Sequence, residues 1–351
     1  MMNWRDKYLN KIVCGDCLEL MPELPDNVAD LILTDPPYYK VKGEAWDRQW
    51  KNPAAYLEWL GGFIAEWHRL LKPNGSLYCF ASPKMAARVE LAAGGRFNVL
   101  NNIVWRKGFP GEHSRSGAHR SHKEDLRCFN PETERIIFAE HYGADNIAKG
   151  ESGYGAKCDE LRGFVFEPLR AYLDGERKRA GFSDKEMREH LKVSLKGGGL
   201  LSHYWGKAQW QLPTPEHYAA LRNLFNRNGG EYLHREYEDL HREYEDLRVE
   251  FEELRRPFSV TAQDQYTDVW EFPTVKHYPG KHPCEKPAAL IEHVINVSSK
   301  PGALILDTFS GSGVVADVAK KLGRDFIAVD SNENYCEIAR KRLAQECLCA
   351  V

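Results

Sequence analysis

The stretch that most constrains this chain is Leu31-Ile32-Leu33-Thr34 followed by Asp35-Pro36-Pro37-Tyr38. Four apolar or β-branched residues in a row suit a buried strand. Pro36 has no N–H and biases Asp35 away from helical dihedrals, so the chain must leave the sheet there. Pro37 restricts Pro36 in turn. The product is a stiff extended turn at the carboxyl end of a strand, where open α/β sheets bind ligands. Such a turn can aim three groups at one planar target. The Asp35 carboxylate and the Pro36 carbonyl are acceptors, and the Tyr38 ring is a stacking face. Taken alone, the stretch is equally compatible with a plain strand-to-loop turn.

A second stretch lies far along the chain. Ala303-Leu304-Ile305-Leu306 is again a β-type run, Asp307 ends it, and Thr308-Phe309-Ser310-Gly311-Ser312-Gly313 reads as a turn before a helix over 314–322. Glycines let backbone N–H groups approach a ligand at a helix N-terminus. The next strand, Phe326-Ile327-Ala328-Val329, ends at Asp330, and an acid there holds ribose hydroxyls in βαβ nucleotide sites. Alone, this describes a nucleotide-binding unit for any of several cofactors.

Together the two motifs resemble the β class of amino-group DNA methyltransferases, in which the catalytic motif precedes the cofactor motif. The resemblance covers residues 1–140 and 270–345. It implies an α/β fold: a Rossmann-like mixed, mainly parallel sheet with helices on both faces, plus a helical insert. It implies S-adenosylmethionine as cofactor and the exocyclic amine of a flipped adenine in double-stranded DNA as substrate. Asp35, Pro36, Pro37 and Tyr38 would then be catalytic. Asp307, Phe309, Gly311 and Gly313 would line the cofactor site, with Asp330 on the ribose. Asp16, in Gly15-Asp16 after a strand over 11–13, would contact the cofactor's adenine, although it also suits a helix N-cap. In His282-Pro283-Cys284-Glu285-Lys286-Pro287, Lys286 and Pro287 would approach the methionine moiety. The bland reading is a helix N-terminus with Pro287 at its first position.

The chemistry explains the residue types. The amine lone pair of adenine or cytosine is delocalised into the ring. Two acceptors holding both amine hydrogens favour a tetrahedral nitrogen, which is positioning plus electrostatic preorganisation. The base must first leave the duplex stack. Members of the family with this Asp-Pro-Pro-Tyr motif mostly methylate adenine, while cytosine-N4 members more often carry serine in place of the acid, so the resemblance implies adenine, though not exclusively. Rivals are cytosine-N4 methylation, a catalytically silent DNA-binding regulator of this fold, and an RNA or protein substrate.

The remaining residues divide as 1–140, a catalytic half; 141–268, a helical target-recognition insert; and 269–351, a cofactor half. A net charge of −3 argues against a uniformly basic DNA binder and directs attention to local patches. One is 106–127, with six Arg or Lys against three acids, which reads as a loop whose Arg115, Arg120 and Lys123 contact phosphate. Another is 161–210, with ten basic and six acidic residues. There the order of helices resembles a Cro-like helix-turn-helix, carried by 177–183, Ser202-His203-Tyr204-Trp205 and Pro213-Thr214-Pro215-Glu216. That resemblance implies that Ser202, His203 and Lys207 reach base edges in the major groove; the bland reading is a plain helical insert that packs on the core. Ser183 with Glu186, and Thr214 with Pro215, are helix-start signals.

His234-Arg235-Glu236-Tyr237-Glu238-Asp239-Leu240 recurs unchanged at 241–247. Leu233, Tyr237, Leu240, Tyr244, Leu247, Phe251 and Leu254 form a heptad seam, so residues 231–256 could pair with a second copy as a homodimer or with a helix of the same chain. Nine scattered cysteines read as reduced thiols. Cys14-Gly15-Asp16-Cys17 has no second pair at ligand distance, so no metal is expected. No apolar run approaches a membrane span and the N-terminus is no signal peptide, which leads to the expectation of a soluble cytoplasmic protein.

Overall fold

The computed structural model describes residues 3–41, 43–108, 132–141, 161–193, 199–207, 209–261, 264–276, 278 and 282–345. It divides into two compact units, one of residues 1–142 with 256–351, the other of residues 143–255.

In the first unit the strands are β1 (Lys11–Cys14), β2 (Ala29–Thr34), β3 (Leu71–Ala81), β4 (Asn98–Arg106), β5 (Thr133–Glu140), β6 (Val269–Glu271), β7 (Leu304–Asp307) and β8 (Asp325–Asp330). They form one sheet in the order β1-β8-β7-β2-β3-β5-β4-β6. β5 runs antiparallel to β3 and β4, and every other pairing is parallel. The sheet is therefore mixed and mainly parallel. From β7 the chain passes through the helix Val314–Lys321 to β8, and from β2 through the helix Pro53–Leu70 to β3 on the opposite side. The order reverses between β7 and β2, and a crevice opens at the carboxyl ends of strands at such a point.

Both faces of the sheet are covered. Leu31 and Leu33 of β2 join Phe80, Ile305 and the apolar sides of the helices Ala288–Ser298 and Val314–Lys321. Ile32 points the other way, to Leu77, Leu306 and the helix Pro53–Leu70. Two-sided burial is why β2 reads as a continuous apolar run rather than an alternating one. The helix Pro53–Leu70 starts where Asn52 accepts from the Ala55 N–H at 2.9 Å and Pro53 fills the first turn.

The second unit has its own apolar core, to which Leu169, Leu173, Met187, Leu201, Trp210 and Phe225 belong. Its described helices are Glu167–Ala180, Asp184–Leu191, Gly199–Trp205, Pro215–Asn226 and Tyr237–Leu254. The Ser183–Glu186 capping box and the Thr214 cap with Pro215 in the first turn both form. The heptad seam, which the sequence leaves open between a second copy and a helix of the same chain, packs inward. Leu233, Leu240 and Phe251 are buried in this core, with Tyr237, Tyr244, Leu247 and Leu254 packed against it, so the chain's own helices occupy the stripe. The end of the insert also falls earlier than residue 268. Arg256 is buried against Glu140 at 2.8 Å and stacks by Phe138 and Phe258, which returns 256–268 to the sheet unit.

Candidate active site

The parallel pairing of β2 with β7, Leu31 beside Ile305 and Ile32 beside Leu306, brings the two far-apart motifs to neighbouring strand ends. β8 and β1 follow in the same direction, so Asp330 and Gly15-Asp16 arrive at the same end. The tips are tied together. The Thr34 and Thr308 hydroxyls lie 2.9 Å apart, Trp67 Nε1 donates to Thr308 Oγ1 at 3.2 Å, and Cys17 Sγ donates to the Thr308 carbonyl at 2.6 Å. They frame a cleft of about 370 Å³ lined by Asp16, Asp35 to Tyr38, Trp59, Phe309, Gly311, Asp330 and Tyr335, among others.

On the β7–β8 side, Asp330 Oδ2 accepts the Gly311 N–H at 2.8 Å and Oδ1 the Asn332 N–H at 2.9 Å. Burial raises the Asp330 carboxyl above its usual range, against the pull of those two donors. Asp307 accepts the Phe309 N–H at 3.1 Å. Burial pushes its carboxyl up to about 8; the Phe309 N–H opposes this, and the Asp35 and Asp330 carboxylates reinforce it. Phe309 packs 4.9 Å from Phe63 and 5.7 Å from Trp59, ring centre to ring centre. Gly311 has φ +48°, and a Cβ there would meet the His282 ring at 3.2 Å. Gly313 has φ +74° and sits behind the turn, where a Cβ would fall 2.6 Å from that of Ala339. Its absent side chain serves helix packing. Asp16 is exposed and caps the helix Cys17–Leu20 through the Leu18 N–H at 2.8 Å, as the N-cap reading expects, and it also lines the cleft.

On the β2 side, Asp35 Oδ2 accepts from Lys286 Nζ at 2.5 Å, and Oδ1 is buried with no hydrogen-bond partner among the described residues. Lys286 is 5% exposed. It also reaches Glu134 of β5 at 3.4 Å and lies 5.2 Å from the Tyr38 ring centre. The Tyr38 hydroxyl donates to Glu134 Oε2 at 2.8 Å, and Lys107 approaches the other oxygen at 2.5 Å. Burial works against the charges of Lys286, Glu134 and Asp35. For Lys286, Asp35 and Glu134 outweigh burial and hold the ammonium above its usual range. For Glu134, Lys286 and Lys107 outweigh it and bring the carboxyl down to about 2. Burial raises Asp35, opposed by Lys286 and aided by Glu134. Pro287 precedes the helix Ala288–Ser298 as its N-cap rather than as its first residue.

Sequence reasoning missed several residues here. Asp47, fully buried, accepts the Tyr38 N–H at 2.8 Å and the Val41 N–H at 2.6 Å. It holds a turn in which Tyr39 and Lys40 both take left-handed dihedrals, φ +62° and +59°. Nothing local marks Asp47 in the sequence. Glu134 did leave a sign: alternation along β5 puts it on the face of the buried Ile136 and Phe138, an unusual place for an acid.

Of the DNA-contact candidates, Ser202 and Lys207 are exposed and His203 is half-buried. Arg115, Arg120 and Lys123 lie outside the described residues. Among the described residues, no three His, Cys, Asp or Glu side chains gather as metal ligands would, and no helix is long and apolar enough to cross a membrane.

Comparison with known proteins bears on this geometry. The N6/N4 methyltransferase family model, described as DNA methylase, matches residues 29–341. The DNA adenine methyltransferase YhdJ of Escherichia coli (strain K12) is 23% identical over 336 residues, covering 95% of this chain and 82% of its own. The type II methyltransferase M.HpaI of Haemophilus parainfluenzae is 24% identical over 344 residues, covering 96% of this chain and 74% of its own. Among solved structures, the PvuII DNA methyltransferase (cytosine-N4-specific) superposes with a TM-score of 0.51 at 13% identity, over 96% of this chain and 87% of that one, and shares the fold.

Proposed function

The chain belongs to the N6/N4 DNA methylase family, and on that premise we propose that it methylates the exocyclic amine of adenine in double-stranded DNA, with S-adenosylmethionine as donor and the base turned out of the helix. The observation that carries the reading is the β2–β7 pairing, which gives the Asp35–Tyr38 turn and the Asp307–Gly313 turn one shared cleft.

The donor is a cation with a ribose and a purine ring. The cleft suits it: Asp16, Asp35 and Asp330 supply negative charge, and Phe309, Trp59, Phe63 and Tyr335 supply aromatic walls. Asp330, held by two N–H groups, keeps lone pairs for ribose hydroxyls. When bound, S-adenosylmethionine supplies a methyl group on a positively charged sulfur. The chain supplies aim. Asp35 Oδ1 and the Pro36 carbonyl accept the two amine hydrogens, the Tyr38 ring stacks on the base, and Asp35 takes up the proton released as the N–C bond forms. Ser202, His203 and Lys207 in the insert read base edges, and Arg115, Arg120 and Lys123 contact phosphate.

Adenine is favoured because an acid occupies position 35, and because a relative along nearly the whole chain is named a DNA adenine methyltransferase. The test is incubation of unmethylated genomic DNA with isotopically labelled donor, then nucleoside mass analysis. Label in N6-methyladenine is expected. Label only in N4-methylcytosine, or in no nucleoside, contradicts the adenine reading.

A further inference from the structure

β5 runs antiparallel to β3, so it starts where β3 ends, and Glu134 is carried to the same end of the sheet as Asp35. A carboxylate on the apolar face of a strand persists only with partners. Glu134 has three: the Tyr38 hydroxyl, the Lys286 ammonium and the Lys107 ammonium. Lys286 in turn occupies Oδ2 of Asp35 and leaves Oδ1 unpartnered among the described residues.

We propose that Glu134 is a positioning residue for methyl transfer. By holding the Tyr38 hydroxyl and the Lys286 ammonium together, it sets the plane of the ring and fixes Lys286 on one oxygen of Asp35. The other oxygen is thereby reserved for a hydrogen of the target amine. This rests on reading the cleft as a methyl-transfer site. Glu134 exchanges no atoms with substrate and acts through Tyr38 and Lys286. Two carboxylates face two ammoniums in this group, so its formal charges are matched from within.

The titratable groups around Asp35 are Lys286 ahead of the helix Ala288–Ser298, Glu134 on β5, Tyr38 in its own turn, Asp307 on β7, Cys79 on β3 and Tyr56 on the helix Pro53–Leu70. Lys286 and Glu134 act on Asp35 in opposite senses, the cation favouring its charged form and the anion disfavouring it. That opposition distinguishes positioning by charge from mere packing.

The experiment follows initial rates of labelled methyl transfer to unmethylated genomic DNA across pH for the intact protein, Glu134→Gln, Lys286→Met and Lys286→Arg. In Glu134→Gln the acid limb moves to lower pH by about one unit, because an anion beside Asp35 is gone. Its kcat falls about tenfold while KM for S-adenosylmethionine stays within about threefold. In Lys286→Met the limb moves to higher pH, and Lys286→Arg returns it toward the original position. Limbs that coincide, or that move in the same direction, overturn the proposal. If a variant is too slow to titrate, carboxyl-13C resonances assigned with Asp35→Asn read the same two displacements directly. Opposite displacements there support the proposal, and coincident or parallel ones overturn it. A parent protein that methylates no DNA amine brings down the reading of the cleft and this inference together. A parent that methylates with coinciding limbs removes only the role of Glu134.

Discussion

At the scale of single residues, backbone conformation and burial give the sharpest expectations. Gly313 combines a left-handed φ with a Cβ position 2.6 Å from Ala339. Gly313→Ala is therefore expected to cost about 2–4 kcal/mol, from dihedral strain and overpacking together, measurable by denaturant unfolding. A cost below half a kilocalorie, roughly that of a surface change, is inconsistent with that packing. Asp47 sustains the turn after Pro37, so Asp47→Ala is expected to lower kcat about tenfold or more by loosening Tyr38. Asp307 supplies a pH signature. Its carboxyl sits at about 8 in the folded chain, above the unfolded value of 3.8, so the folded state binds the proton more tightly. That contribution to stability is complete below about pH 4 and is lost as pH rises to about 8. Asp307→Asn is expected to flatten the fall in Tm over that window, and an unchanged slope contradicts the assignment. Glu134, brought down to about 2, acts in the opposite sense and at lower pH, between about 2 and 4.5.

Among the elements, those defined by local chemistry were legible. Pro36 and Pro37 end β2, Asn52-Pro53 starts a helix, and Ser183 with Glu186 caps another. The turn around Gly311 was legible for the same reason. What the sequence hides is pairing across distance. Nothing local says that β2 lies beside β7, or that an antiparallel β5 delivers Glu134 to the site. The heptad seam shows the same limit. Its spacing specifies an apolar stripe and leaves the partner open, and in the fold the partner is the chain's own core. Leu240, fully buried there, gives the check. Leu240→Ala is expected to destabilise the second unit by about 2–4 kcal/mol with a Tm independent of protein concentration. A Tm that rises with concentration points instead to pairing between copies.

For the whole molecule, the fold brings the Asp35–Tyr38 turn and the Asp307–Gly313 turn to adjacent strand ends around one cleft, with a charged group at Asp35, and we read that cleft as a donor site beside a base site. The insert places Ser202 and Lys207 on its surface, which is compatible with contact to DNA. Methyl transfer by Asp35→Ala tests the arrangement most directly, with S-adenosylmethionine affinity and DNA affinity measured alongside. Removing the acceptor is expected to lower the rate of amine methylation at least about a hundredfold, with some loss of S-adenosylmethionine affinity as one of the cleft's carboxylates goes, while DNA affinity stays near that of the parent protein. Transfer at the parental rate by Asp35→Ala contradicts it.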